Sequence, residues 1–393
     1  MKKKLAVIGA GSAGIQTLCH FLYWFPTNDW EITLLYNPEI PSLGIGESTN
    51  GSFSHVISLG LNFDMTDMPS IDATYKFGTR YVDWREQTFI GSLIVGNYAL
   101  HFNTHKLKEF ALPRLHKIWG EKFKEEHGNV KDIIQTADKV DVATDDRNYE
   151  FDYVINCSGF PTDFTNYVVY EDHLVNHGLI HNVEGNFSSM HVTEHVATID
   201  GWMFKVPLTT RLSHGYLFND KITSVSEAKS NFANKINVDV EDLQNIEYSF
   251  KAYINNTIIS NRIFNNGNQA FFFEPMFANS LMNYNIFNRH FYDYVVGNTD
   301  LKMANQHCLN QCYATRDTLY FKYHGGSIYE TEFWKRAKEY KTNWLNSETF
   351  HKLSEVAKVN NESGWEKLNA PSLYSWHGWS KFDKDLGYNY FAP

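Results

Sequence analysis

The sequence predicts an α/β fold opening on a βαβ unit, and three consecutive stretches predict it. Residues 4–8 (KLAVI) form a short, wholly apolar run of the kind buried in parallel sheets. A glycine-rich hexapeptide, Gly9-Ala10-Gly11-Ser12-Ala13-Gly14, follows without a break. A helix-favouring segment over residues 15–25 then leads to a second apolar strand at residues 31–35. Strand, glycine turn, helix and strand in this order describe a Rossmann-like dinucleotide-binding half.

Each part of the turn has a physical task. Gly9 permits the tight turn, Gly11 lets backbone amides approach a pyrophosphate, and Gly14 permits close packing of helix on strand. The helix N-terminus at Ser12 and Ala13 favours the anion. An acidic residue usually ends the second strand and binds the ribose hydroxyls; here that position is Tyr36, with Glu39 nearby.

Residues 37–50 contain Pro38, Pro41, Gly44 and Gly46 and read as a loop. Residues 75–84 alternate and carry β-favouring side chains, which predicts a strand. Residues 106–128 are charged and helix-favouring, and 153–155 form another buried strand running into Cys157-Ser158-Gly159. Residues from about 190 to 275 read mostly as strands, and from Leu281 the pattern turns helical, most clearly over 330–344. The expected organisation is a nucleotide-binding body over 1–280, assembled from discontinuous segments, with a β-rich middle section. A mainly helical substrate-side subdomain is expected over 281–393.

Composition narrows the function classes. The 393 residues carry 35 Lys and Arg against 45 Asp and Glu, a net charge of −10 that argues against duplex nucleic acid as partner. Aromatic residues make up 16%, which argues against disorder. Four scattered cysteines, Cys19, Cys157, Cys308 and Cys312, supply neither a disulfide framework nor a CxxC metal pair. The three lysines at the N-terminus precede a run interrupted by glycines, so a strand and turn explain it better than a secretory signal. No segment has the roughly 18 apolar residues of a membrane span. A cytoplasmic protein with no membrane association is expected.

FAD is favoured over NAD on three grounds: the glycine motif opens the chain, a second glycine turn (Gly44-Ile45-Gly46-Glu47-Ser48) follows the second strand, and a late strand ends at Cys157-Ser158-Gly159. Several segments converging on one cofactor suit a long, buried flavin. No second nucleotide fingerprint for NAD(P)H is present.

Taken in order, these pieces resemble the flavin-dependent halogenases of the tryptophan-halogenase group. Gly44–Thr49 (GIGEST) is similar to that family's GVGEAT loop, thought to strap the flavin and couple it to the halide site. The stretch TYKFGTRYVDWR resembles the one carrying the family's catalytic lysine, which falls on Lys76. Gly201–Leu208 (GWMFKVPL) resembles the WxWxIP motif, with Phe204 and Val206 as mild changes, and Arg211 and Gly215-Tyr216 follow. Asn156-Cys157-Ser158-Gly159, Arg316-Asp317 and Phe333-Trp334 fit as well.

The resemblance implies a flavin-monooxygenase type of FAD-binding fold, and FAD used as FADH2 from a separate flavin reductase. It implies hypohalous acid made from oxygen and halide, delivered through Lys76 to a small aromatic substrate. It places cofactor contacts at Gly9, Gly11, Ser12, Ala13, Gly14, Tyr36, Ser48 and Leu281, and halide on the backbone amides of Asn279 and Ser280. The family's halide-loop glutamate is replaced by Phe277, and its Ser-Thr-Gly by Ala278-Asn279-Ser280. These departures suggest a taste for bromide or iodide and for electron-rich phenols, indoles or anilines. Substrate-facing candidates are Phe277, Trp376 and Trp379; the aromatic cluster with Tyr374 and His377 reads equally as core.

No metal site is expected. His101 and His105 lie four apart and would share a helix face, with solvent-facing or capping roles. Cys308 and Cys312 read as packing residues, and 335–342 as a solvated helix face. Two other readings remain open, a flavin monooxygenase that hydroxylates directly and a flavin-binding protein that has lost halogenation.

Overall fold

A computed structural model of the chain describes residues 2–44, 48–84, 88–93 and 98–345. Seven α-helices fall in this span: α1 Ser12–Trp24, α2 Gly51–Leu61, α3 Thr104–Trp119, α4 Val225–Ile236, α5 Asn279–Val295, α6 Leu301–Tyr323 and α7 Glu332–Leu345. The chain forms two compact units, each drawn from three separate stretches. The first comprises Met1–Thr74, Val95–Val169 and Tyr253–Leu309; the second comprises Tyr75–Ile94, Tyr170–Ala252 and Asn310–Pro393. The expected division between 280 and 281 therefore does not match the compact units.

The first unit is built on a six-stranded sheet in the spatial order Ile259–Ser260, Ile263–Asn265, Tyr153–Asn156, Lys3–Ile8, Trp30–Tyr36, Phe123–His127. Every neighbouring pair is parallel except the first. Leu5, Ala6, Val7 and Ile8 are all buried, as expected of a strand covered on both faces. On one face Ala6, Ile8, Leu35 and Val154 pack with Val140, Val142 and Phe151 of a three-stranded antiparallel sheet. The sequence placed 123–127 in a helix. The helix stops instead at Trp119 because Gly120 (φ +48°) turns the chain, and the remaining segment pairs with Trp30–Tyr36.

The second unit holds a seven-stranded sheet: Ile246–Ser249, His177–Glu184, Arg211–Phe218, Gly201–Pro207, Thr193–Thr198, Gly78–Val82, Phe89–Ser92. Helix α4 covers it, with Ala228 and Phe232 packed on Leu179, Val196, Met203, Tyr216 and Phe218. This helix was not expected inside a run of strands. Its signal was present in Ser224-x-x-Glu227, where the Ser224 hydroxyl accepts the Glu227 amide. The strand expected over 75–84 is interrupted. Phe77 gives its amide to His191 O at 2.8 Å, and Asp83 turns left-handed at φ +63°.

Among the described residues, no helix is long and apolar enough to cross a membrane, and no cluster of His, Cys, Asp and Glu could hold a metal ion. His101 and His105 do not share a helix: His101 sits on the Ala99–His101 strand, where its Nδ1 meets Thr74 Oγ1 at 3.0 Å. Cys19, Cys157, Cys308 and Cys312 are all buried.

Candidate functional site

The glycine turn is shaped by contacts that tolerate no side chain. Gly9 has φ +99°, and a Cβ there would lie 2.5 Å from the Cys157 carbonyl oxygen. A Cβ on Gly14 would lie 1.9 Å from the Gly9 oxygen. The turn is pinned by the Gly9 amide on Leu35 O (2.9 Å) and the Cys157 amide on Ile8 O (2.8 Å). Gly11 differs: a Cβ there would meet nothing within 4 Å. Gly11 is also the N-cap of α1, which has no side-chain cap and no acidic residue in its first turn. The amides at Ser12 and Ala13 thus open the helix on an uncrowded, electropositive end. An uncapped helix end over open space fits a pyrophosphate.

Tyr36 follows Leu35 directly, so it lies beside the turn. Its hydroxyl donates to Glu125 Oε1 at 2.8 Å, and burial together with that carboxylate pushes the phenol pKa up. Glu125 also meets His116 Nε2 at 2.7 Å and His127 Nε2 at 3.1 Å. Burial would raise its pKa, but these three partners hold it below the ordinary value. Glu125, one strand away, is therefore the acid that stands beside Tyr36. Reading 106–128 as helix hid it. Ser48, at the end of the second glycine turn, is buried and bridges to His101, while Thr49 exchanges bonds with Leu100 at 2.8–2.9 Å. Residues 45–47 lie outside the described residues.

Helix α5 begins with the same peculiarity as α1. Its N-cap, Ala278, is left-handed at φ +55° and offers no side-chain cap. A non-glycine residue held there costs about 1–3 kcal/mol and commonly marks functional backbone. Asn279 is buried and Ser280 half-buried in the first turn, which suits an anion on their amides. Leu281 turns its carbonyl to Gln16 Nε2 of α1 at 2.9 Å, tying the two uncapped helix starts together. Behind this link, Asn266 Nδ2 donates to Asn288 Oδ1 (2.9 Å) and Thr17 to the same oxygen (3.3 Å). Asn288 Nδ2 then meets His20 Nδ1 at 3.0 Å. Burial, reinforced by His55, drops His20 to about 3, so its ring is neutral and accepts. Asparagines are poor helix formers, and this ladder explains the burial of Asn288 in α5. Position 277 falls in the short helix Met276–Ala278.

Lys76 belongs to the second unit, is 3% exposed, and is pulled by burial down to about 7. Amine and ammonium are then both populated near neutral pH. The sheet of the second unit presents aromatic and basic groups here, of which His195 and Lys322 were announced by no sequence motif. Tyr81 and His195 face each other across the parallel Gly78–Val82 and Thr193–Thr198 strands, ring centroids 5.5 Å apart. Lys322 of α6 donates to the Tyr81 hydroxyl, with its Nζ 3.8 Å from the ring centroid. His195 is pushed well below the ordinary histidine range by burial, then by Lys322 and Lys76. Trp84 Nε1 donates to His195 O at 3.1 Å. Trp202 and Phe204, from the predicted motif, are buried on the Gly201–Pro207 strand. Phe204 fills the space that Gly215 leaves, where a Cβ would approach it to 2.0 Å. Trp376 and Trp379 lie outside the described residues.

The structure thus gathers Gly9, Gly11, Ser12, Ala13, Gly14, Tyr36, Ser48, Asn279, Ser280 and Leu281 in the first unit and places Lys76 in the second. An uncapped glycine turn on a parallel sheet and a buried lysine with a lowered pKa suit a cofactor-dependent enzyme. The chain matches the family model for tryptophan halogenase over residues 4–140 and 91–376. It belongs to the tryptophan halogenase family, whose members are flavin-dependent oxidoreductases. It is 22% identical over 429 aligned positions to tryptophan 7-halogenase RebH of Lentzea aerocolonigenes, covering 86% of this chain and 79% of the relative. It is 21% identical to tryptophan 6-halogenase ThaL of Streptomyces albogriseolus, with the same coverage. Its fold matches the crystal structure of a tryptophan halogenase from Shewanella frigidimarina with a TM-score of 0.83, at 17% identity, over 98% of this chain and 89% of that one.

Proposed function

We propose that the protein is an FADH2-dependent halogenase that uses oxygen and a halide to halogenate electron-rich aromatic molecules through Lys76. The observation that carries the reading is the pair of uncapped helix starts, α1 and α5, joined by Gln16 and Leu281 within one unit. One start suits a dinucleotide pyrophosphate and the other a halide ion.

Gly9, Gly11, Ser12, Ala13 and Gly14 would hold the FAD phosphates, with Tyr36, Ser48 and Leu281 as further cofactor contacts. When bound, reduced FAD supplies the electrons that activate oxygen, and so the means of turning halide into hypohalous acid. The amides of Asn279 and Ser280 would hold the halide. Two side-chain-bearing residues at those positions favour bromide or iodide over chloride. Lys76, near its midpoint at neutral pH, holds hypohalous acid by hydrogen bonding or carries its halogen. With Phe277 where the family has glutamate, activated rings that lose their proton to water are the expected substrates. A separate flavin reductase supplies FADH2, and a cytoplasmic location fits that supply.

The test combines the protein with FAD, a flavin reductase, NADH and oxygen. Phenols, indoles and anilines are offered with chloride, bromide or iodide. Halogenated products that disappear in Lys76→Ala are expected, with bromide or iodide outcompeting chloride. Halide-independent oxygen incorporation would establish a monooxygenase instead. Peroxide alone, equal in both proteins, would defeat the proposal.

A further inference from the structure

The lysine site contains two buried polar atoms without partners. Among the described residues, Trp202 Nε1 and His195 Nδ1 are both buried and make no hydrogen bond. Trp202 is 0% and His195 3% exposed, and their ring centroids lie 4.8 Å apart. Leaving a buried polar atom unsatisfied costs about 1–3 kcal/mol, so two in one place call for a reason. They are also complementary. An indole nitrogen can only donate, while a neutral imidazole protonated at Nε2 accepts at Nδ1. The neutral state is enforced locally: His195 is buried, and the charges acting on it come from Lys322 and Lys76. The neighbouring acidic residue Glu194 faces the other side of the strand, engaged by Arg80 at 3.1 Å and Lys205 at 3.4 Å. Tyr81, opposite His195, is held by Lys322.

We propose that Trp202 and His195 form, beside Lys76, a subsite for hypohalous acid. That molecule carries one O–H for the imidazole and oxygen lone pairs for the indole N–H. Its halogen makes neither bond and is left for the lysine or the ring. A halide ion fits less well, because it can accept from the indole but only repels the imidazole lone pair. Water has the same donor and acceptor and is the natural resting occupant. The inference rests on the halogenase reading and extends it to the fate of the oxidant.

The experiment measures partition during turnover of the FAD-loaded protein with bromide and a phenol. Bromophenol is counted against hypobromite that escapes to a taurine scavenger. Trp202→Phe and His195→Phe are expected to lower the ratio of product to escaped hypobromite about tenfold. His195→Gln, whose amide oxygen still accepts, recovers part of the ratio. Lys76→Ala, with product lost and hypobromite still released, tells the halogenase reading apart from the subsite. An unchanged ratio in both Trp202→Phe and His195→Phe overturns the proposal and leaves an ordered water only. A second readout needs no turnover: 15N spectra of histidine-labelled, flavin-free protein should show His195 Nδ1 unprotonated from pH 8 down to pH 5. A proton on Nδ1 at pH 7 also overturns it.

Discussion

The starts of helices α1 to α5 come in two kinds. Helices α2, α3 and α4 are closed by Asn50, Asn103 and Ser224, each accepting a backbone amide of the first turn. Helices α1 and α5 begin at Gly11 and Ala278 with no side-chain cap. A cap satisfies amides that would otherwise need water, and is worth about 1 kcal/mol. Omitting it twice, at helices linked to each other by Gln16 and Leu281, keeps those amides available to anions. The capped starts close on their own side chains; the uncapped ones are those to which the proposed function assigns ligands.

The largest effect should come from the turn before α1. Gly14→Ala puts a methyl group 1.9 Å from the Gly9 oxygen, and Gly9→Ala combines a 2.5 Å clash with positive φ. Both should cost more than about 4 kcal/mol, seen as a collapsed melting transition and no uptake of FAD. Gly11→Ala separates the two roles, since its added methyl meets no protein atom within 4 Å. FAD should bind at least about tenfold more weakly by fluorescence titration, with the melting temperature of the flavin-free protein unchanged. An unchanged affinity would break the contrast between the two kinds of start.

Lys76 extends the contrast to a side chain kept for function at the expense of stability. Its pKa drops from 10.5 to about 7 on burial, so below pH 7 the folded state carries a buried ammonium. Between pH 7 and 10.5 the unfolded chain binds the extra proton, and this group's contribution becomes steadily less unfavourable as pH rises. Lys76→Met should therefore melt well above the parent at pH 6, with the gap narrowing towards pH 10. A gap independent of pH would show that the amine is solvated. The smallest effects belong to the caps. Asn103→Ala and Ser224→Ala should each cost about 1 kcal/mol, a few degrees in melting temperature, with FAD affinity unaltered.

How far the site could be read in advance follows from how local each signal is. The turn from Gly9 to Gly14 was legible because its geometry is set by six consecutive residues and their flanking strand and helix. Lys76 was legible only through its surrounding motif, since nothing in an isolated lysine tells of its burial. Glu125 was missed because its place beside Tyr36 depends on strand pairing across almost ninety positions, and its own segment had been read as helix. His195 and Lys322 carried no signal at all. They join Lys76 through a parallel strand pair and a distant helix. Helix α4 differs: its Ser224 cap is local, but the strands on either side of it set the alternation of the surrounding sequence.

The sequence by itself determined the glycine turn, three of the parallel strands around it and the family, because glycine spacing and apolar runs act over a few residues. Only the tertiary structure decided which helix ends stay uncapped together, which acid stands beside Tyr36, and which groups surround the lysine. Those depend on pairings between segments far apart in the chain. Their electrostatics depend on burial, which no single residue carries with it.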